Sequence, residues 1–154
     1  PGLCRWPAVG RIGAAVSQTP LPAATDLAAD AVESARTRVP ILLVVTREEC
    51  GFCATLKREV LGPMMLAGDH PGRVLIRELN LDSREPVVDF AGLPASCWSI
   101  ASAYEALFSP TVLLVGPDGS VLVERMIGLS TPEMYGWYLD RAIDAATRAL
   151  PGPT

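Results

Sequence analysis

Ile41-Leu42-Leu43-Val44-Val45-Thr46-Arg47-Glu48-Glu49-Cys50-Gly51-Phe52-Cys53 decides the reading of this chain. An apolar run of strand length, rich in β-branched residues, ends in a polar turn. Two cysteines follow with two residues between them. Leu56, Val60 and Met64 then recur every four residues, so a helix starts at the cysteines. A Cys-x-x-Cys at the mouth of a helix, straight after a buried strand, is a redox signature. Cys50 would meet unpaired backbone N–H groups there, which favour a thiolate and lower its pKa. Cys53, one turn on and more buried, is near enough to resolve a mixed disulfide. A static disulfide or half of a metal site is the competing reading of the pair.

The rest of the chain supplies a scaffold. Thr25 or Asp26 can cap a first helix whose Leu27, Ala31, Val32 and Ala35 fall at helical spacing. Arg36 and Arg38 sit at its C-terminal end, and Pro40 closes it. Gly62-Pro63 predicts a kink or restart in the cysteine helix, because proline removes a donor and crowds the preceding turn. Arg73 to Leu81 reads as a second strand, with Val74 and Ile76 on one side and Leu75 on the other. Asp82 to Ser96 is irregular, with a short strand at Val87-Val88-Asp89-Phe90. Ser99 is placed to cap the next helix, with Ile100, Ala103, Tyr104 and Leu107 as its stripe.

Thr111 to Val115 is another buried-strand run. Gly116-Pro117-Asp118-Gly119 is a turn, and Ser120 to Met126 returns as the second half of an antiparallel hairpin. Ser130-Thr131-Pro132-Glu133 opens the last helix, with Glu133 at capping-box spacing from Ser130. Tyr135, Tyr138, Leu139, Ala142, Ile143 and Ala146 line its inner face, and Pro151-Gly152 end it. The order predicts an α/β fold with a central mixed sheet flanked by helices.

Composition bounds the function. The chain has 154 residues, 49% of them hydrophobic and 19% charged, with a formal net charge of −4. It can bury a core, and its acidity argues against a nucleic-acid partner. No stretch approaches the roughly 20 apolar residues of a membrane span. The expected organisation is an arm over 1–24, a domain over 25–150 and a tail over 151–154. The start at Pro1 and the Ala-, Pro-, Gly- and Ser-rich segment over 7–24 read as the remains of an export signal or a tether.

From about Asp26 to Leu150 the chain resembles the thioredoxin superfamily. The resemblance rests on Cys50-Gly51-Phe52-Cys53, Ser109-Pro110-Thr111, the hairpin turn and Gly128, all in the family's order. It implies a cis-proline at Pro110 facing the cysteines. It also implies a backbone at Ser109 that pairs with the substrate, and Gly128 in the loop beside the site. It therefore implies a thiol:disulfide oxidoreductase with Cys50 as nucleophile and Cys53 as resolving thiol. Ser109, Pro110, Thr111 and Gly128 would contact a protein substrate carrying a disulfide or thiol. An upstream thiol donor is needed, and no cofactor or metal.

The departures are specific. Glu49 stands where the family has Trp, Val44 where it has a buried Asp, Phe52 where it has Pro, and Ala54 where it has Lys. Thr46-Arg47-Glu48 before the cysteines, the inserted Val87–Gly92 segment and Phe108-Ser109-Pro110-Thr111-Val112 are similar to exported bacterial members. These include members associated with sulfur oxidation and with periplasmic disulfide reduction. With Val44 in the acid's place the resolving thiol lacks its usual proton acceptor. Glu48 or Glu49 could substitute; the bland alternative is that both are solvated loop acids. No cation lies between the cysteines, which favours a reductase or exchanger over an oxidase.

Other residues read structurally. Cys97 is expected to be a small buried apolar residue rather than a third redox thiol. Trp98 and Trp137 are expected in the core, and Lys57 on a solvated helix face. Cys4 could carry a lipid or an intermolecular disulfide, or be incidental; Trp6 carries no reading. His70, the one histidine, would need distant cysteines to converge for a zinc site. Two other functions stay open: a redox-inert binding module docking through the Pro110 loop, and a metal carrier.

Overall fold

The computed structural model describes residues 20–68 and 72–152. The expectations for Cys4, Trp6, His70, the first nineteen residues and the last two lie outside the described residues.

A four-stranded mixed sheet forms the centre. Its strands are β1 (Ile41–Thr46), β2 (Leu75–Asn80), β5 (Thr111–Val115) and β6 (Met126–Ile127), in the order β2-β1-β5-β6. β1 runs parallel to β2 and antiparallel to β5, and β5 runs antiparallel to β6. Every residue of β1 and β5 is buried, as their continuous apolar runs require. β3 (Val87–Val88) and β4 (Pro94–Ala95) form a separate two-stranded ribbon within the irregular segment.

Helices cover both faces. α1 (Leu27–Thr37) and α4 (Cys97–Ala103) pack on the face carrying Ile41, Leu43, Val45 and Leu79. The opposite face carries Leu42, Val44 and Ile76, and receives the cysteine helix together with α5 (Pro132–Ala149). The cysteine helix comprises α2 (Gly51–Leu56), a π-helical turn (Lys57–Leu61) and α3 (Gly62–Leu66).

The expected kink or restart at Gly62-Pro63 takes the form of a π-helical turn, after which α3 begins at Gly62. Pro63 cannot donate to a carbonyl one α-turn back, and its ring would crowd it. The chain absorbs the misfit by widening one turn, so that the Gly62 N–H reaches the Lys57 carbonyl. Gly62 is required there: a Cβ would lie 2.8 Å from the Lys57 oxygen.

Several side chains fall elsewhere than periodicity predicts. α1 buries Leu27, Asp30 and Ser34, while Val32 is exposed. The reason is tertiary: Arg77 from β2 clasps Asp30, its Nε 3.0 Å from both carboxylate oxygens and its Nη2 2.7 Å from one. Asp26 caps α1, its carboxylate accepting from the Ala29 N–H at 2.9 Å. α4 starts three residues earlier than expected. Ser96 is the cap and Ser99 its reciprocal partner, so Tyr104 and Leu107 lie beyond the helix.

Trp98 and Trp137 are not core residues; each is about half exposed beneath an arginine, Arg47 and Arg141 respectively. Each sits off its helix's buried face, as does Tyr138. Thr131, not Ser130, is the N-cap of α5, and it caps without a side-chain hydrogen bond.

The hairpin also departs from the simple reading. Its turn forms as expected, with Gly119 at φ +78° and the Asp118 carboxylate accepting from the Ser120 N–H and hydroxyl. The returning strand does not run from Ser120 to Met126. It touches β5 at Val121 and pairs again only at Met126–Ile127. Between them Arg125 reaches out to the carbonyls of Tyr104 and Glu105. Finally, Leu21 to Ala24, read as arm, lie on the edge of β2. Leu21 and Ala24 are buried, and Glu78 exchanges backbone bonds with Pro22 and Ala24 at 2.8 and 2.9 Å.

Candidate active site

The site forms where β1 ends. Arg47 to Glu49 leave the sheet as a turn anchored by Asp82 from beyond β2. The Asp82 carboxylate accepts from the Glu48 N–H at 2.9 Å and faces Arg47 at 3.6 Å. This anchor fixes where Cys50 emerges. Cys50 is the N-cap of α2, its sulfur accepting from the Cys53 N–H at 3.2 Å. A sulfur in that position occupies the place of a capping oxygen and feels the N-terminal end of the helix.

Cys50 and Cys53 are joined in a disulfide across a Cα–Cα distance of 5.2 Å. The two sulfurs are unequal. Cys50 is partly exposed, whereas Cys53 is 1% exposed. The pair therefore presents one approachable sulfur and one that only its neighbour can reach.

Opposite the disulfide stands the loop before β5. The Ser109–Pro110 peptide bond is cis, and the Ser109 carbonyl oxygen lies 3.9 Å from Cys50 Sγ. Thr111 is buried and its hydroxyl donates to the Phe108 carbonyl at 2.5 Å, closing the loop on itself. Gly128, at φ +74°, donates to the Pro110 carbonyl at 2.8 Å. A Cβ at Gly128 would meet the Phe108 ring only in ordinary contact at 3.7 Å, so it is the positive φ that calls for glycine there. The structure thus brings Cys50, Cys53, Ser109, Pro110, Thr111 and Gly128 to one end of the sheet. Phe52, Phe108 and Ile127, all more than half exposed, project from the three segments that form it.

Glu48 and Glu49 are exposed loop acids. Cys97 is a free, buried cysteine whose thiol is pushed up mainly by burial. Among the described residues no cluster of three or more His, Cys, Asp or Glu could hold a metal ion. No helix is long and apolar enough to cross a membrane in the same residues. Lys57, expected on a solvated helix face, instead pairs with Glu78 of β2, whose Oε1 also accepts from the Thr46 hydroxyl at 2.6 Å. Helical spacing could not show this, because the carboxylate arrives from another strand.

Comparison with known proteins agrees with this architecture. A family model described as a thioredoxin-like domain matches residues 27–143. Among solved structures, the chain is similar to the DsbH oxidoreductase, at 17% identity and a TM-score of 0.54, over 81% of this chain and 85% of that one. It is similar to oxidised mitochondrial thioredoxin 3 of Saccharomyces cerevisiae, at 20% identity and a TM-score of 0.50, over 80% of this chain and 93% of that one. It is also similar to oxidised thioredoxin O2 of Arabidopsis thaliana, at 14% identity and a TM-score of 0.50, over 80% and 90%. At these identities the likeness is one of fold. No curated protein matches the chain.

Proposed function

The chain belongs to the thioredoxin-like family, and from that premise we propose that it is a thiol:disulfide oxidoreductase acting on protein disulfides. The observation that carries the reading is the Cys50–Cys53 disulfide at a helix mouth, with the Ser109 carbonyl 3.9 Å from the exposed sulfur. In the reducing direction the Cys50 thiolate attacks one sulfur of a substrate disulfide. A Cys50–substrate bond forms, the substrate bond breaks, and the departing thiolate takes a proton from solvent. Cys53 then attacks Cys50, forming the disulfide seen here and releasing the second substrate thiolate. An upstream thiol donor must reduce the pair again.

Substrate alignment falls to the loop from Ser109 to Thr111, with Gly128 beside it. An extended segment laid along that loop would place its own sulfur against Cys50, and Phe52, Phe108 and Ile127 would contact its apolar side chains. An exported, periplasmic setting belongs to the same reading and rests on the likeness to exported members in residues 46–53 and 108–112. The direction proposed is reduction or exchange. No cation lies between the cysteines to favour a strongly oxidising pair.

The test uses reduced protein and a disulfide-containing protein substrate. Cys50→Ser is expected to abolish reduction, and Cys53→Ser to accumulate a mixed disulfide visible on a non-reducing gel. Normal turnover by Cys50→Ser would overturn the proposal, and a Cys50–Cys53 pair that exposes no alkylatable thiol after reduction would favour the redox-inert binding module instead.

A further inference from the structure

The exchange proposed above leaves one proton unassigned. Cys53 is 1% exposed, and a thiol so placed must ionise before it can attack. An isolated thiolate in that position lacks solvation and is strongly disfavoured. Val44, on the sheet beneath, is apolar and cannot take the proton. Glu48 and Glu49 are in solvent.

A second charged group lies next to Val44. Glu78 is its register partner on β2, and strand alternation puts both on the sheet face covered by α2. The Glu78 side chain is 13% exposed. It is held from two directions, by the Lys57 ammonium and by the Thr46 hydroxyl. Lys57 lies one α-turn beyond Cys53, and the Lys57 N–H donates to the Cys53 carbonyl. The thiol and the ammonium therefore share one helix face, and the carboxylate meets that face from the sheet. Thr46 closes the cluster from β1. From α4, Cys97 also feels Glu78, whose charge contributes to raising its thiol pKa.

We propose that Glu78 accepts the proton of Cys53 in the resolving step, with Lys57 as the fixed counter-cation that makes the transfer electrically neutral. Before transfer the cluster holds a neutral thiol, a carboxylate and an ammonium. After it, the cluster holds a thiolate, a neutral carboxylic acid and the same ammonium, now free to face the thiolate. One anion and one cation are present throughout, so no unpaired charge is created in the buried site. The thiolate attacks Cys50 Sγ, the Cys50–substrate bond breaks, and the substrate leaves as a thiolate. Glu78 then returns its proton to solvent through the partly exposed side of the pair, and the substrate thiolate is protonated from solvent.

The inference rests on the proposed exchange and can fail separately from it. Reduced protein is mixed with an aromatic disulfide that releases a coloured thiolate twice, once when Cys50 attacks and again when Cys53 resolves. Glu78→Gln is expected to leave the first release within about twofold and to slow the second by about 100-fold at neutral pH, the lower end of what a positioned proton acceptor supplies. Its second release should then climb with pH throughout, while that of the unsubstituted protein levels off. Glu78→Asp should restore part of the rate. If Glu78→Gln does not fold, Lys57→Met carries the test, since losing the cation must slow the same release. Two releases in the unsubstituted protein, with a second release unchanged in rate and pH profile in whichever variant folds, would overturn the assignment of Glu78 alone. No release from the unsubstituted protein would instead sink the proposed exchange.

Discussion

Tyr104 shows how one side chain ties the site's surroundings together. Its hydroxyl donates to the Gly119 carbonyl at 2.5 Å, and its own carbonyl accepts from Arg125. The end of α4 is thereby fastened to the hairpin on two sides. Burial, and to a lesser degree the charge of Asp118, push the phenol up to about 12 from its ordinary 10.0. The folded state holds this proton more tightly than the unfolded chain does. The associated stability is therefore complete below the unfolded value of 10.0 and is lost as pH rises through about 12. Tyr135, raised by burial, acts in the same direction at higher pH. Denaturant melts at alkaline pH should show a shallower loss of stability for Tyr104→Phe than for the unsubstituted protein. At neutral pH the same substitution should cost about 1 kcal/mol, for one hydrogen bond left unmade. An identical alkaline slope in the two proteins would refute this account.

At the scale of elements, the cysteine helix is the informative case. Gly62-Pro63 announces a kink or restart. The interruption takes the form of a wide turn that begins at Lys57, the residue that meets Glu78, and α-helical winding restarts at Gly62. Gly62→Ala tests that coupling, because a Cβ there would lie 2.8 Å from the Lys57 carbonyl oxygen. The backbone must shift to admit it, at a cost of about 1–3 kcal/mol, the range for overpacking. Urea melts should show that loss, together with a changed reactivity of Cys53 after reduction. A variant as stable as the parent would mean that the wide turn yields without strain. The hairpin teaches the complementary lesson. Val121 and Met126 both touch β5, but Arg125 leaves the ladder for two carbonyls, and a run that reads as one strand is cut in two.

For the molecule as a whole, the fold starts earlier along the chain than composition suggests. Leu21 is 6% exposed and packs with Leu42, Val44 and Ile76 in one core. Pro22 and Ala24 exchange backbone bonds with Glu78 and so cover the free edge of β2. Leu21→Ala should destabilise the protein by about 2–3 kcal/mol, the low end for a buried leucine. A melt unchanged by that substitution would show the edge segment to be dispensable. The sequence alone determined the sheet's central strands, since a continuous apolar run has no polar face to turn outward. It also determined the positions of Cys50 and Cys53 at a helix mouth and the turn at Gly116–Gly119, because these follow from residues a few positions apart. Only the tertiary structure decided that Asp30 and Ser34, not Val32, face inward, that both tryptophans face outward, and that Glu78 lies beside Val44. Most of those depend on a partner from a distant segment: Arg77 for Asp30, Arg47 for Trp98, and Lys57 with Thr46 for Glu78, whereas Trp137 is covered by Arg141 one turn along its own helix. Local periodicity records where a side chain points along its own element, and the energy of a buried charge is set by what meets it from another.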